Sequence, residues 1–286
     1  MKRLEALTLL LALFAGAILA FLLGKWVLIG FGLESVSPEM IHENAEANVG
    51  RALLLYQLLS GLCSIGVPAV FILFRWKKND VVPFIPSKSW SWRSSMYSWC
   101  LLPLALPFLS WATDIWMDTT SHWSILSSHR QSMEISYRSV DKMLQVESLL
   151  DQFLGVLTFV FSAAITEELL FRGVFLRLFY KKKVPIVAIL LSSLLFALAH
   201  MNLFQLPFLV GAGLILGFLY WISGRLWVPI IAHILHNGFI YVLSTSGQSH
   251  YGGFDNASIP VAFVLSSTLA FGYIFYRLWT TRYNEP

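Results

Sequence analysis

The sequence predicts an all-α polytopic membrane protein, a bundle of about eight transmembrane helices. Three observations lead there. The chain of 286 residues is 57% hydrophobic and only 13% charged, with a mean hydropathy of +0.67, whereas soluble domains are nearer a quarter charged. Apolar runs of about twenty residues, the length needed to cross a bilayer as a helix, recur along the chain. Finally, Lys and Arg gather on alternate connecting segments, as they do when cytoplasmic and external loops alternate.

Taken in order, the predicted spans lie near residues 6–31, 52–74, 94–113, 153–176, 185–201, 206–223, 227–245 and 259–278. The first begins "MKR" and resembles a signal peptide. Its apolar run is too long and no small-residue cleavage site with a polar continuation follows, so it reads as an uncleaved span. The loop after the second, "RWKKNDVVPFIPSKSWSWR", is basic and rich in Pro and Trp, suited to the interface. Segment 114–150 contains "ISYRSVDKMLQVESLLDQF", whose apolar residues recur at roughly helical spacing. It reads as an amphipathic helix on the outer surface, a connector before it is a gate. Basic residues Lys2, Arg3, Arg75, Lys77, Lys78, Arg177, Lys181 to Lys183, Arg225, Arg277 and Arg282 alternate with poorly basic loops. This places both termini in the cytoplasm. The same anchors explain the net charge of +4. With no basic patch bearing interleaved aromatics, no nucleic-acid partner is expected. Cys63 and Cys100 lie in apolar spans and form no metal or disulfide pattern.

Polar residues are concentrated. The fourth to seventh spans hold Glu167, Glu168, Arg172, His200, His233, His236 and Asn237, while the others hold mainly Ser, Thr, Gly, Pro and Gln. The chain therefore divides into residues 1–149, with N-terminal spans and loops, a core at 150–246, and a last loop and span at 247–286. Each charge at a bilayer centre costs on the order of 2.5–3.5 kcal/mol. "TEELLFRG" carries three.

On a helix Arg172 falls four residues after Glu168, within reach of an i,i+4 ion pair. Glu167 lies well round from Arg172. The spacing suggests Glu168–Arg172 as a neutralised structural unit and Glu167 as an unpaired carboxylate facing a cavity, suited to general acid–base work. The alternative is one buried charge network joining helices. His200 ends "FALAH", with Phe196 one turn earlier and placed to pack on the imidazole. In "WVPIIAHILHNGF", Pro229 fits a first helical turn. His233 and Asn237 share a face there, and His236 points to one side. Such a stripe offers donors to a developing oxyanion, ligands to a metal together with Glu167, or a polar seam between helices.

The available chemistries narrow. There is no HExxH; the only His-Glu pair, His42-Glu43, stands in a predicted external loop. No GxGD occurs, and Asp151 and Asp255 sit near span edges. Ser223 abuts Arg225 and would leave the glutamates unexplained. Glutamate with histidines and no nucleophile points to an activated water and hydrolysis, metal-assisted or not.

"EELLFRG", "FALAH" and "HILHN" also read, in order, as EExxxR, FxxxH and HxxxN motifs. In this the chain resembles the CAAX protease and bacteriocin-processing family of intramembrane endopeptidases, also called Abi or type II CAAX prenyl endopeptidases and usually described as metalloproteases. The resemblance covers about residues 150–246. It implies that Glu167 and His200 activate the attacking water and that His233 and Asn237 stabilise the oxyanion. Glu168 and Arg172 complete the first motif, with Phe196 and His236 in support. It further implies a divalent metal such as zinc on Glu167, His200 and His233, or water alone. The substrate would be a peptide or protein at the membrane, prenylated or of the bacteriocin-processing or immunity kind, and the site a bacterial inner membrane. Two readings of another class compete: a proton-coupled transporter using Glu167, His200 and His233 as a relay, and a non-catalytic scaffold.

Overall fold

A computed structural model describes residues 2–33, 47–79, 90–144, 148–180, 184–246 and 261–284. The basic run Lys181 to Lys183, the His42-Glu43 pair, Asp255 and most of the Pro- and Trp-rich loop lie outside them. Among the described residues all regular structure is helical.

Helix α1 is Lys2–Gly30. Helix α2, Ala47–Gly61, continues through a π-helical turn into α3, Val67–Asn79. Next come α4, Trp92–Ser121, and α5, Ser127–Leu144. A long fourth span is assembled from α6, Leu149–Gly155, α7, Ala163–Glu168, and α8, Arg177–Phe179, joined by π-helical stretches Val156–Ser162 and Leu169–Leu176. Then follow α9, Pro185–Ala199, α10, Leu206–Ser223, α11, Trp227–Thr245, and α12, Val261–Asn284.

Seven of the predicted spans are helices long and apolar enough to cross a bilayer. The remaining one, α9, has only 15 residues, about 22 Å of helix against roughly 30 Å of hydrocarbon. Large apolar side chains such as Leu10, Phe14, Phe74, Trp111 and Leu269 point outward on these helices, which is what a hydrocarbon solvent permits. The chain is an integral, multi-pass membrane protein. The amphipathic segment is present as α5, and its end residues Met143 and Leu144 are buried.

The chain forms two compact units interleaved in sequence: residues 1–79, 123–167 and 237–252, and residues 80–122, 168–236 and 253–286. In the first, Val49, Leu53 and Leu54 of α2 pack with Met143 of α5. In the second, residues including Leu102, Leu176, Leu216, Leu219, Val228 and Ala232 from α4, α10, α11 and the second π stretch make one core. There α9 and α10 meet closely: a Cβ on Gly213 would sit 3.0 Å from Ser193 Cβ and 3.1 Å from its Cα. Glycine at that crossing lets backbones approach where larger side chains would part them.

The π-helical stretches are the departure from the uniform helices of the sequence reading. A wider turn reroutes backbone hydrogen bonds, and in a membrane each freed carbonyl needs a partner. Side chains of neighbouring helices reach two carbonyls of these stretches. Ser192 Oγ of α9 donates to Phe171 O at 2.7 Å, and Asn237 Nδ2 of α11 donates to Phe159 O at 3.0 Å.

Candidate active site

The two glutamates end α7, and Arg172 lies in the π stretch that follows. The expected i,i+4 pair is formed: Arg172 Nη1 donates to Glu168 Oε1 at 2.7 Å, with both side chains fully buried. Arg172 is anchored twice more. Its Nη2 donates to Gly213 O of α10 at 3.0 Å, and its guanidinium lies 4.7 Å from the Phe196 ring centre, a cation–π contact strengthened by burial.

The helix spacing did not reveal a third partner. His233 Nδ1 stands 3.0 Å from the same Glu168 Oε1. A carboxylate held by a guanidinium accepts, so Nδ1 donates and carries the proton. Glu168 is thus more than half of a neutralised pair; it also grips a candidate catalytic histidine. Its second oxygen, Oε2, is buried and has no hydrogen-bond partner among the described residues.

His200 follows α9 directly. Its Nδ1 donates to Phe196 O at 2.8 Å, and its ring lies 4.7 Å from the Phe196 ring, as the one-turn spacing predicts. The Phe196 ring also meets His233 edge-on at 6.1 Å and Phe171 at 5.2 Å. One phenylalanine therefore touches Arg172 and both candidate histidines. Both rings are held through Nδ1, which leaves Nε2 as the nitrogen each presents. As a neutral ring, each offers an acceptor there; doubly protonated, each offers a donor.

The turn after His200 is itself fixed. Met201 has φ 51°, the left-handed region that non-glycine residues rarely adopt. Asn202 Oδ1 accepts from the amides of Phe204 and Gln205, and Trp116 Nε1 of α4 donates to Leu203 O at 2.8 Å. The strained residue stops α9 beside its histidine and turns the chain into α10.

The remaining candidates are placed as follows. Glu167 is half-buried and has interactions of its own. The expectation of an unpaired carboxylate is corrected: helical angle alone separated it from Arg172 but said nothing of other neighbours. Asn237 spends one amide proton on Phe159 O and has a second to give. His236 is buried, its ring 5.7 Å from Phe208, and its Nδ1 has no hydrogen-bond partner among the described residues. Ser223 is a cap: its Oγ donates to Leu219 O and accepts from the Arg225 amide.

Among the described residues, no three His, Cys, Asp or Glu side chains stand as a ready metal cluster. With Nδ1 of His200 and His233 committed, only Nε2 of each is left to a metal.

Comparison with known proteins places residues 149–239 in a match to the family described as type II CAAX prenyl endopeptidase Rce1-like. Over 87 residues the chain is 33% identical to the Bacillus subtilis (strain 168) protein YdiL, provisionally named a membrane peptidase, covering 30% of this chain and 36% of that one. Over 57 residues it is 46% identical to the membrane-embedded CAAX protease MroQ of Staphylococcus aureus (strain USA300), covering 20% of this chain and 23% of that one. The chain thus spans about a third or less of the length of these relatives. No solved structure matches.

Proposed function

We propose, from the match of residues 149–239 to the Rce1-like CAAX protease family, that the chain is an intramembrane endopeptidase hydrolysing a peptide bond through an activated water. One observation carries this reading. An arginine of the first motif and a histidine of the third converge on one oxygen of the buried Glu168 carboxylate in the matched segment, where packing alone repays such charges poorly.

Glu167 and His200 are assigned to the water. They take its proton as its oxygen attacks the scissile carbonyl carbon, and the carbonyl oxygen becomes an oxyanion. His233 through Nε2, carrying a proton for the purpose, and Asn237 through its second amide proton stabilise that charge. Collapse of the intermediate breaks the C–N bond, and the proton held by Glu167 or His200 passes to the leaving amine. No step is routed through a metal; metal content of the purified chain reads that question directly. The substrate class proposed is a membrane-associated peptide or protein, of CAAX type or of the peptide-processing or immunity kind. Charge asymmetry around the spans supports cytoplasmic termini, and the bacterial relatives support a bacterial membrane; a helical bundle suits the inner one.

The test is comparative peptidomics of membranes from cells expressing the chain or its Glu167→Ala, His200→Ala or His233→Ala variant at matched folded levels. At least one cleavage product is expected with the unmodified chain and absent with all three variants. Identical peptide profiles throughout would overturn the assignment and return weight to a proton relay.

A further inference from the structure

We infer that Glu168 is a positioning residue for the reaction, holding His233 by Nδ1 so that Nε2 is presented, with Arg172 as the clamp that keeps Glu168 in place. This deepens the reading above and rests on it: with no hydrolysis, there is nothing for His233 to be positioned for.

The geometry distinguishes this from a simple ion pair. An isolated Arg–carboxylate unit gains most by using both oxygens in a fork. Here Arg172 and His233 instead share Oε1, at 2.7 and 3.0 Å, and the buried Oε2 has no hydrogen-bond partner among the described residues. What the shared oxygen does provide is a fixed point for the imidazole. The Nδ1 bond sets the tautomer and in-plane direction, and the Phe196 edge at 6.1 Å limits rotation of the ring. Glu168 itself can turn little, because Arg172 is tied to Gly213 O and stacked on Phe196. Carboxylates that hold a functional histidine by its far nitrogen act in this way generally.

His200 provides the internal contrast. Its Nδ1 is held by a backbone carbonyl, Phe196 O, one turn back. Its orientation therefore depends on α9 itself and not on Glu168. Loss of Glu168 should release one histidine and spare the other.

The experiment uses the full chain, 15N-labelled at histidine and reconstituted in phosphatidylethanolamine–phosphatidylglycerol vesicles, with magic-angle-spinning spectra of the ring nitrogens. His233→Ala and His200→Ala assign the two resonances. Glu168→Gln is expected to shift the His233 Nδ1–H resonance and leave that of His200 in place. On the substrate whose cleavage product peptidomics identifies, the same variant is expected to lose about 10–100-fold in kcat with KM nearly unchanged, the pattern of an interaction that matters in the transition state. Glu168→Gln leaves Arg172 charged and buried. Where it folds poorly, Glu168→Gln with Arg172→Met removes both charges and carries the same measurements. An unchanged His233 resonance overturns the positioning contact. A shifted resonance with unchanged kcat overturns its catalytic relevance. Cleavage that survives His233→Ala instead counts against the proposed reaction, which separates the two failures.

Discussion

Three of the Arg–carboxylate pairs among the described residues, those with a buried carboxylate, are alike in chemistry and unlike in setting. In the first unit, Arg51 forks onto Asp151 at 2.6 and 3.0 Å, and Arg75 meets Glu5 at 3.3 Å. Each carboxylate is buried, but each arginine keeps about a third of its side chain exposed, 32% and 35%. Their oxygens are also well served. Ser148 Oγ donates to Asp151 Oδ2, and Trp76 Nε1 donates to Glu5 Oε2. In the second unit both Glu168 and Arg172 are at 0%, and one carboxylate oxygen has no hydrogen-bond partner among the described residues. Pairs that keep contact with polar surroundings hold helix ends together at modest cost. A wholly desolvated pair is costly to assemble, and a well-packed apolar pair of similar volume would often be as stable. The first two need no reason beyond packing. The third does, and its bond to His233 supplies one.

That contrast breaks most directly at Arg172. Arg172→Ala leaves Glu168 a buried carboxylate with only His233 for company. Breaking a buried pair from one side costs about 3–5 kcal/mol, a large share of a typical stability margin. The expected outcome is a collapse of folded yield, read by size-exclusion chromatography in detergent, with the surviving fraction retaining measurable cleavage. A normal yield with abolished cleavage would mean that Arg172 belongs to the chemistry, and the comparison with Arg51 would fail.

How far the sequence anticipates this difference depends on the range of the interaction involved. Hydropathy and loop charge are local sums, so seven spanning helices and the short α9 lie close to where the apolar runs place them. The Glu168–Arg172 pair was legible because both partners sit on one helix four residues apart. The Phe196–His200 contact was legible for the same reason. The bond between Glu168 and His233 joins residues 65 positions apart and depends on how α11 meets the fourth span, which no periodicity encodes. The π-helical stretches were invisible too, because their carbonyls are satisfied by Ser192 and Asn237 from other helices. Asn237, a candidate for the oxyanion on sequence, also serves a carbonyl of the first π stretch. Glu167 marks the limit from the other side: its angle from Arg172 was readable, its other neighbours were not.

A smaller effect sharpens the clamp. Gly213→Ala would place a methyl 3.0–3.3 Å from Ser193, including its backbone Cα and O. Backbone cannot rotate away, so α9 and α10 must separate, at about 1–3 kcal/mol for overpacking of this kind. Because Gly213 O is also an anchor for Arg172, cleavage should fall along with melting temperature. The paired control is Gly61→Ala in the first unit. There the added methyl meets nothing within 4 Å among the described residues, and should leave both melting temperature and kcat unchanged.

The smallest effects belong to the exposed arginines and test the other half of the comparison. In Arg75→Ala, Glu5 keeps the Trp76 indole donor at 2.8 Å. In Arg51→Ala, Asp151 keeps Ser148 both as hydroxyl donor and as partner of its own amide. Neither carboxylate is stranded, and water screens much of what each arginine contributes. Melting temperatures should therefore drop by less than in Gly213→Ala, with kcat unchanged in both variants. Between the two, Arg51→Ala should be the larger, since its fork is shorter and joins residues 100 apart in sequence. A loss of cleavage in Arg51→Ala at normal folded yield would show that the first unit's pairs also act on the reaction, and burial would then no longer separate the structural from the functional arginines.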